Sequence, residues 1–332
     1  MTTTPAGTRR RRLLTALKLA AAAVMVASVL PFGAREWWTL ELAAHFRVQY
    51  VVAAAALSVA FALRRNWLWC LGLVASFAVS VPPLLPYLPL AEPAAASIAA
   101  VPIKVLAANV EYGNRSADRL LALVRDEAPD VVVLVEYTPH WSTLVDELRR
   151  SHPYRLELPQ ERSTGIALFS RLPLDSVRRL PLGVQPAIEA RVRSPSGSFT
   201  LVGVHLRSPT SGWRAGQRNR QYELLAQRRA AIDGPLVVTG DFNTTPYSPF
   251  FADWLERTGL VDTSRGRGLA FSWPTFLPIA GIPIDHCVVS EEFRVITERR
   301  LPRIGSDHYP ILTVLALEPR PAAAPAARGG FE

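Results

Sequence analysis

Two patterns of apolar positions divide this chain. Residues 13–32, 46–63 and 67–90 are near-continuous runs of Ala, Val, Leu and Phe with few charges, whereas beyond residue 103 the apolar residues come in short β-type runs broken by turn formers. A helix needs roughly 20 apolar residues to cross a bilayer core. The first and third runs reach that length, and the 18 residues of the second are marginal. Three such runs in succession, with arginines at their ends, predict three transmembrane helices. The distal runs predict strands at 104–109, 131–136, 165–170, 189–192, 199–206, 236–239, 286–289 and 311–315. Helices are expected at 116–127, with Ser116 as N-cap, and at 214–232. Many short strands with few long helices predict a sheet-rich α/β domain with two packed sheets and not a doubly wound parallel sheet.

The division gives domain boundaries: a basic N-terminus (1–12), a membrane region (13–90), a Pro- and Ala-rich linker (91–102), a folded domain (103–318) and a tail (319–332) expected to be disordered. Charge supports it. Of the net +9, residues 1–100 hold nine Arg or Lys against three Glu, which leaves 28 basic and 25 acidic residues beyond, or about +3. The basic excess therefore belongs mostly to the helix flanks and gives little support to a nucleic-acid partner. Arg9 to Arg12, with Arg64 and Arg65, mark one side of the membrane as cytoplasmic; the loop between the first two runs holds Arg35 and Arg47 with Glu36 and Glu41. The positive-inside rule then puts the N-terminus in the cytoplasm, the cell membrane being crossed three times and the folded domain lying outside. A cleaved signal peptide is the competing reading of the first run, although Val26-Ala27-Ser28 makes a poor cleavage site. Cys70 and Cys287 imply no disulfide framework.

Polar residues recur at the tips of the predicted strands: Asn109, Glu136, His205, Asp241 with Asn243, Asp285 with His286, and Asp307 with His308. Three of the chain's six histidines fall in this set. Taken singly, Asn109 reads as a turn former, His205 as a core histidine, Asp241 with Asn243 as an Asx turn, and Asp285 or Asp307 as a member of a local ion pair. Together they describe one site. Several buried carboxylates need a cation or histidine partners, and oxygen ligands suit Mg²⁺ or Mn²⁺ better than zinc.

The ordered set resembles the endonuclease/exonuclease/phosphatase superfamily, over residues 103 to about 317. Gly240-Asp241-Phe242-Asn243 and Ser306-Asp307-His308 are its most specific pieces. Leu106-Ala107-Ala108-Asn109, Val133-Leu134-Val135-Glu136, Gly165 to Arg171 and Gly203-Val204-His205-Leu206 resemble further family motifs, with departures at Val135 and Ala108 that remove no ligand. The resemblance implies a four-layered α/β/β/α sandwich and a metal-dependent phosphoesterase. It implies that Asn109 and Glu136 hold the metal with Asp307 as a further or water-mediated ligand. Asp241 and His308 would activate water, Asp285 would orient His308, and Asn243 and His205 would bind phosphoryl oxygens. His286 is expected to point away from the site.

Placement beside the outer leaflet predicts a membrane lipid or a lipid-linked phosphate or pyrophosphate of the cell envelope as substrate. A basic rim of Arg207, Arg214, Arg218, Arg220, Arg228 and Arg229 around Trp213, opposed only by Glu223, would bind it through Arg207, Trp213 and Arg214. The layout of spans followed by this domain looks like the membrane-anchored branch that includes VanJ-type glycopeptide-resistance proteins. An extracytoplasmic nuclease and a non-catalytic ligand-binding module on the same fold are the alternatives.

Overall fold

A computed structural model describes residues 5–90 and 100–318, with side chains from Thr8 onward. Most of the expected linker and all of the expected tail lie outside the described residues. Four helices come first: α1 (Pro5–Val29), α2 (Trp38–Ala44), α3 (Arg47–Leu63) and α4 (Trp67–Ser80). The rest alternates strands and helices: β1 (Ile103–Asn109), α5 (Asp118–Glu127), β2 (Val131–Val135), α6 (Pro139–Leu144), α7 (Asp146–Ser151), β3 (Tyr154–Leu158), β4 (Ile166–Ser170), β5 (Leu174–Leu182), β6 (Gln185–Ser194), β7 (Gly197–His205), α8 (Gly212–Ala230), β8 (Leu236–Asp241), α9 (Pro249–Thr258), β9 (Val261–Asp262), β10 (Asp285–Val289), β11 (Phe293–Arg300) and β12 (Ile311–Leu317).

The strands form two mixed six-stranded sheets, ordered β11-β12-β1-β2-β4-β3 and β5-β6-β7-β8-β10-β9. Alternation along each strand explains why they stack. Val105, Val131 and Val133 face Ile188, Val192, Leu201 and Val237 across the space between the sheets. The other faces of β1 and β2, through Leu106, Val132 and Leu134, pack on Leu120 and Val124 of α5 and on Trp141. Val202, Val204 and Val238 likewise pack on Tyr222 and Leu225 of α8 and on Trp254 of α9. Strands buried on both faces read as unbroken apolar runs, which is the pattern of β2.

Pairing decides where the site lies. The parallel pairs β1–β2 and β7–β8 align Asn109 with Val135 and His205 with Asp241. Antiparallel β10 sets Asp285 opposite Asp241, and antiparallel β12 starts beside the end of β1. Both sheets therefore present their polar strand ends along one edge of the sandwich.

The N-terminal region departs from expectation. Among the described residues only Thr8–Gly33, with an 18-residue window of mean hydropathy 2.2, is a single helical stretch long and apolar enough to span a membrane. The second run becomes α3, which passes only together with α2 across a 60° bend. The third stops as a helix after 14 residues, about 21 Å of rise, because the ring of Pro82 and then Pro83 cannot continue the hydrogen-bond ladder; the chain turns instead into a 3₁₀ segment, Pro82–Tyr87. Around Ala21, Ala54, Phe61 and Leu73 the three long helices pack on one another.

The same region docks on the sandwich. Glu41 of α2 pairs with Arg218 of α8 at 2.6 Å, both side chains wholly buried, and its other oxygen accepts from Ser248 Oγ at 2.7 Å. Trp38 lies against Gly212, where an added Cβ would come within 3.2 Å of the indole. Gln49 Nε2 donates to the Gly281 carbonyl at 2.8 Å, and the Gly266 amide donates to the Pro86 carbonyl at 2.8 Å. Removing one member of a buried pair leaves the other charged and dry. Glu41→Ala should therefore destabilise the protein by about 3–5 kcal/mol, read as the shift of the unfolding transition in detergent.

Candidate active site

The polar edge of the sandwich opens into a cavity of about 430 Å³ whose lining includes Glu136, His205, Asp241, Asn243, Asp307 and His308. Asn109 ties the two sheets together there. Its Nδ2 donates to Glu136 Oε1 at 3.2 Å and to Asp241 Oδ2 at 3.1 Å, while its Oδ1 accepts the Glu111 amide. The turn-former and site readings of Asn109 thus coincide, since one side chain does both. Asp241 behaves alike, with Oδ1 accepting the Asn243 amide at 2.8 Å. Asn243 is fastened by Nδ2 to the Leu206 carbonyl.

His308 Nδ1 meets Asp285 Oδ2 at 2.8 Å, and His308 Nε2 stands 3.8 Å from Asp241 Oδ2. His205 Nε2 approaches the same Asp241 oxygen at 3.6 Å. Burial alone would lower His308, but the carboxylates of Asp285 and Asp241 raise it to about 10, so it carries a proton at neutral pH. Burial and then the Asp285 carboxylate push Asp241 up to about 6. His205 is driven downward by burial and stays neutral. Three nearby groups thus differ in charge because of their partners.

The sequence did not single out Glu111 or Trp273, and it gave Ser306, although part of the Ser306-Asp307-His308 motif, no role. Glu111 Oε2 accepts the Asp307 amide, Trp273 Nε1 donates to Asp307 Oδ2 at 3.0 Å, and Ser306 Oγ donates to the Asn109 carbonyl at 2.8 Å. These bonds aim Asp307 and join the loop before β12 to the end of β1. No strand-end pattern marks such residues, because each acts on a neighbour distant in sequence, Glu111 and Ser306 through a backbone group and Trp273 through the Asp307 carboxylate.

Glu136, Glu111 and Asp307 form an electrostatically unfinished corner. Burial raises Glu136, with Asp307 adding to the effect, and Glu111 is raised by burial and then by Asp307. Among the described residues no Arg or Lys hydrogen-bonds to Glu136 or Asp307; their carboxylates accept from the Asn109 side-chain amide, the Tyr112 backbone N–H and Trp273 Nε1. Oxygen donors that repel one another, with the His308 imidazolium as their nearby counter-charge and no Arg or Lys bonded to Glu136 or Asp307, fit a hard divalent cation. Asp241, Asp285 and His308 also bring ligand atoms within 4.8 Å of one another, but the Asp285–His308 hydrogen bond already uses two of them. The Glu136 corner is the better cation site.

The predicted basic rim dissolves in part. Arg218 is not on a rim but inside, paired with Glu41, a partner 177 residues away that helical periodicity could not reveal. Arg228 pairs with Glu189, and Glu223 is taken by Arg257. Arg207 and Arg214 do line the cavity, while Trp213 is exposed outside it with the Arg207 guanidinium 5.7 Å from its ring. His286 points to the opposite face, its Nε2 donating to the Thr244 carbonyl at 2.9 Å and its Nδ1 lying 3.5 Å from Asp262 Oδ2.

Comparison with known proteins places the fold. The model of the Endonuclease/Exonuclease/phosphatase family matches residues 106–308. No curated protein matches the chain in sequence. Among solved structures, an endonuclease/exonuclease/phosphatase from Beutenbergia cavernae superposes with a TM-score of 0.54 at 23% identity, covering 67% of this chain and 73% of its own. D. rerio TDP2 complexed with a single-strand DNA product gives 0.54 at 16% identity, covering 64% and 98%. A Bacteroides thetaiotaomicron mannosyl-6-phosphatase gives 0.53 at 16%, covering 64% and 99%.

One backbone position controls the geometry. Gly240 has φ +138°, and a Cβ there would sit 2.0 Å from the Val204 carbonyl oxygen. Gly240→Ala should cost more than the ~1–3 kcal/mol of strained φ alone and displace Asp241. Unfolding measurements, with loss of turnover at permissive temperature, check it.

Proposed function

The chain belongs to the endonuclease/exonuclease/phosphatase family, whose members are typically metal-dependent hydrolases of phosphoesters, and from that premise we propose a membrane-anchored phosphoesterase acting outside the cytoplasmic membrane on a lipid-linked phosphate or pyrophosphate. The convergence of Glu136, His205, Asp241, Asn243 and His308 from both sheets in one cavity carries the catalytic part of this reading. Glu136, Asn109 and Asp307 would hold Mg²⁺ or Mn²⁺, which supplies Lewis-acid polarisation of a phosphoryl oxygen. Asp241 and the protonated His308, facing each other at 3.8 Å, orient one water between them, and the Asp241 carboxylate takes its proton as its oxygen bonds to phosphorus. The phosphorus–oxygen ester bond breaks on the far side, and the leaving oxygen takes up a proton. Asp285 keeps His308 in the orientation this needs. Asn243, His205 and the guanidinium groups of Arg207 and Arg214 receive the negative charge of the transferring group.

Packing of the helices supports the membrane location. Large apolar side chains on α1, α3 and α4 face outward, Leu63 at 81% and Leu68 at 79% exposure, which water disfavours and lipid does not. α2 and the Pro82–Tyr87 segment both touch the sandwich, whereas Arg9 to Arg12 and Arg64 with Arg65 lie at the other helix ends. Three crossings with the arginines on the cytoplasmic side satisfy this arrangement. The third is completed by the residues after Ser80 and by local thinning of the bilayer.

Purified full-length protein with Mg²⁺ or Mn²⁺ should release phosphate from a lipid-linked pyrophosphate or a phospholipid, and a chelator should stop it. Asp241→Ala, His308→Ala and Glu136→Ala should each lower turnover at least about a thousandfold while the protein stays folded and inserted. Normal turnover by the Asp307→Ala/His308→Ala double variant refutes the catalytic assignment, and activity confined to DNA refutes the substrate class.

A further inference from the structure

The cavity has a wall that does not come from the sandwich. Leu42 of α2, with His45 and Phe46 in the elbow between α2 and α3, lines it together with the catalytic residues, and Ile282 and Ile284 continue the apolar surface. The elbow is bolted to the loop that carries the catalytic aspartate. Thr244, Thr245 and Ser248 follow Asp241 and Asn243 directly; Arg218 bridges Thr244 to Glu41, Ser248 bonds Glu41, and Thr245 Oγ1 lies 2.9 Å from His45 Nδ1.

His45 is the informative residue. The Thr245 backbone N–H also points at Nδ1, at 3.4 Å, and a backbone N–H can only donate, so Nδ1 is the acceptor and the ring proton is on Nε2. That Nε2 is buried without a hydrogen-bond partner, in a residue 5% exposed. A buried donor with nothing to bond is costly, and the natural occupant of the cavity removes that cost. Arg207 Nε, also on a cavity-lining residue, is buried and unpartnered too. Two orphaned donors call for an anion, and Leu42 with Phe46 call for hydrocarbon beside it.

Resting on the phosphoesterase reading above, we propose that the α2–α3 elbow is part of the substrate site: His45 Nε2 donates to an oxygen of the phosphate group, and Leu42 and Phe46 hold the first carbons of its apolar chain as it leaves toward the membrane helices. The elbow makes an amphipathic phosphoester the preferred ligand. A polynucleotide, charged on both sides of every phosphate, meets two apolar side chains where it needs cations.

The test uses full-length protein in detergent micelles with Mn²⁺, and two probes: dioleoyl phosphatidate in mixed micelles and soluble p-nitrophenyl phosphate. Leu42→Ser/Phe46→Ser should lower kcat/KM for phosphatidate at least tenfold more than for p-nitrophenyl phosphate, mainly through KM. His45→Ala should lower kcat/KM for phosphatidate about tenfold, and His45→Gln, whose amide restores a donor, should recover most of it. Equal losses on both probes by the double variant, or unchanged phosphatidate kinetics in all three variants, overturn the elbow's role while leaving the phosphoesterase reading standing. Wild-type protein that cleaves DNA and neither probe refutes the phosphoesterase substrate class itself, and the elbow's ligand with it. Unfolding midpoints of the variants separate a misfolded wall from a missing contact, since a loss that tracks the midpoint is structural and counts against the proposal.

Discussion

The hydrogen bond between His308 Nδ1 and Asp285 joins the two sheets at the edge where the candidate active site lies. His308 comes from the segment entering β12 of one sheet, and Asp285 begins β10 of the other. Each sheet alone presents half a site, and the halves become one because this contact, with Asn109 reaching from β1 to Asp241, sets the distance between them. Its energetic footing is the imidazolium it stabilises: two carboxylates packed near each other in a dry place repel, and a protonated histidine between them relieves that repulsion. Fold and chemistry thus share one contact, and the sandwich cannot slide by a residue without separating the groups that hold its open edge together.

Strands buried on both faces were legible, because β1, β2, β4, β7, β8, β10 and β12 all appear as apolar runs within a few residues of their observed ends. The edge strands were not. β3, β5 and β11 carry Arg at exposed positions, with Asp175 in β5 as well, and β5 includes Pro181, features that protect a sheet edge and erase the apolar signal. Helix α5 starts at Asp118 with Ala117 at its N-cap, so Ser116 lies a residue too early to cap it. The polar strand tips converge because parallel and antiparallel pairing bring them to one edge, and no local pattern could supply that pairing. The roles of Glu111, Trp273 and Ser306 were not legible for a related reason: their work is to hold other residues, through bonds that span more than thirty positions.

Charge was misread where its partner was distant. α8 looks like a basic surface helix, and most of its arginines do meet solvent or carboxylates. Arg218 is the exception, since its place on the helix faces α2 and only a folded N-terminal region brings Glu41 to it. A composition split at residue 100 treats the two regions as electrically independent, yet the most deeply buried ion pair in the protein joins them.

That pairing bears on how the sandwich can be handled. A soluble fragment beginning near residue 100 would look complete by sheet count and by the strand-end residues. It would nevertheless expose the flank of α8 with Arg218 uncompensated, uncover Gly212 where the Trp38 indole had lain, and leave Thr245 and Ser248 without the His45 and Glu41 side chains that brace them. The loop so loosened is the one directly after Asp241. Excision would therefore yield a fragment with every residue of the candidate site in its sequence and a slackened frame around them, so that the N-terminal helices count as part of the sandwich's scaffold.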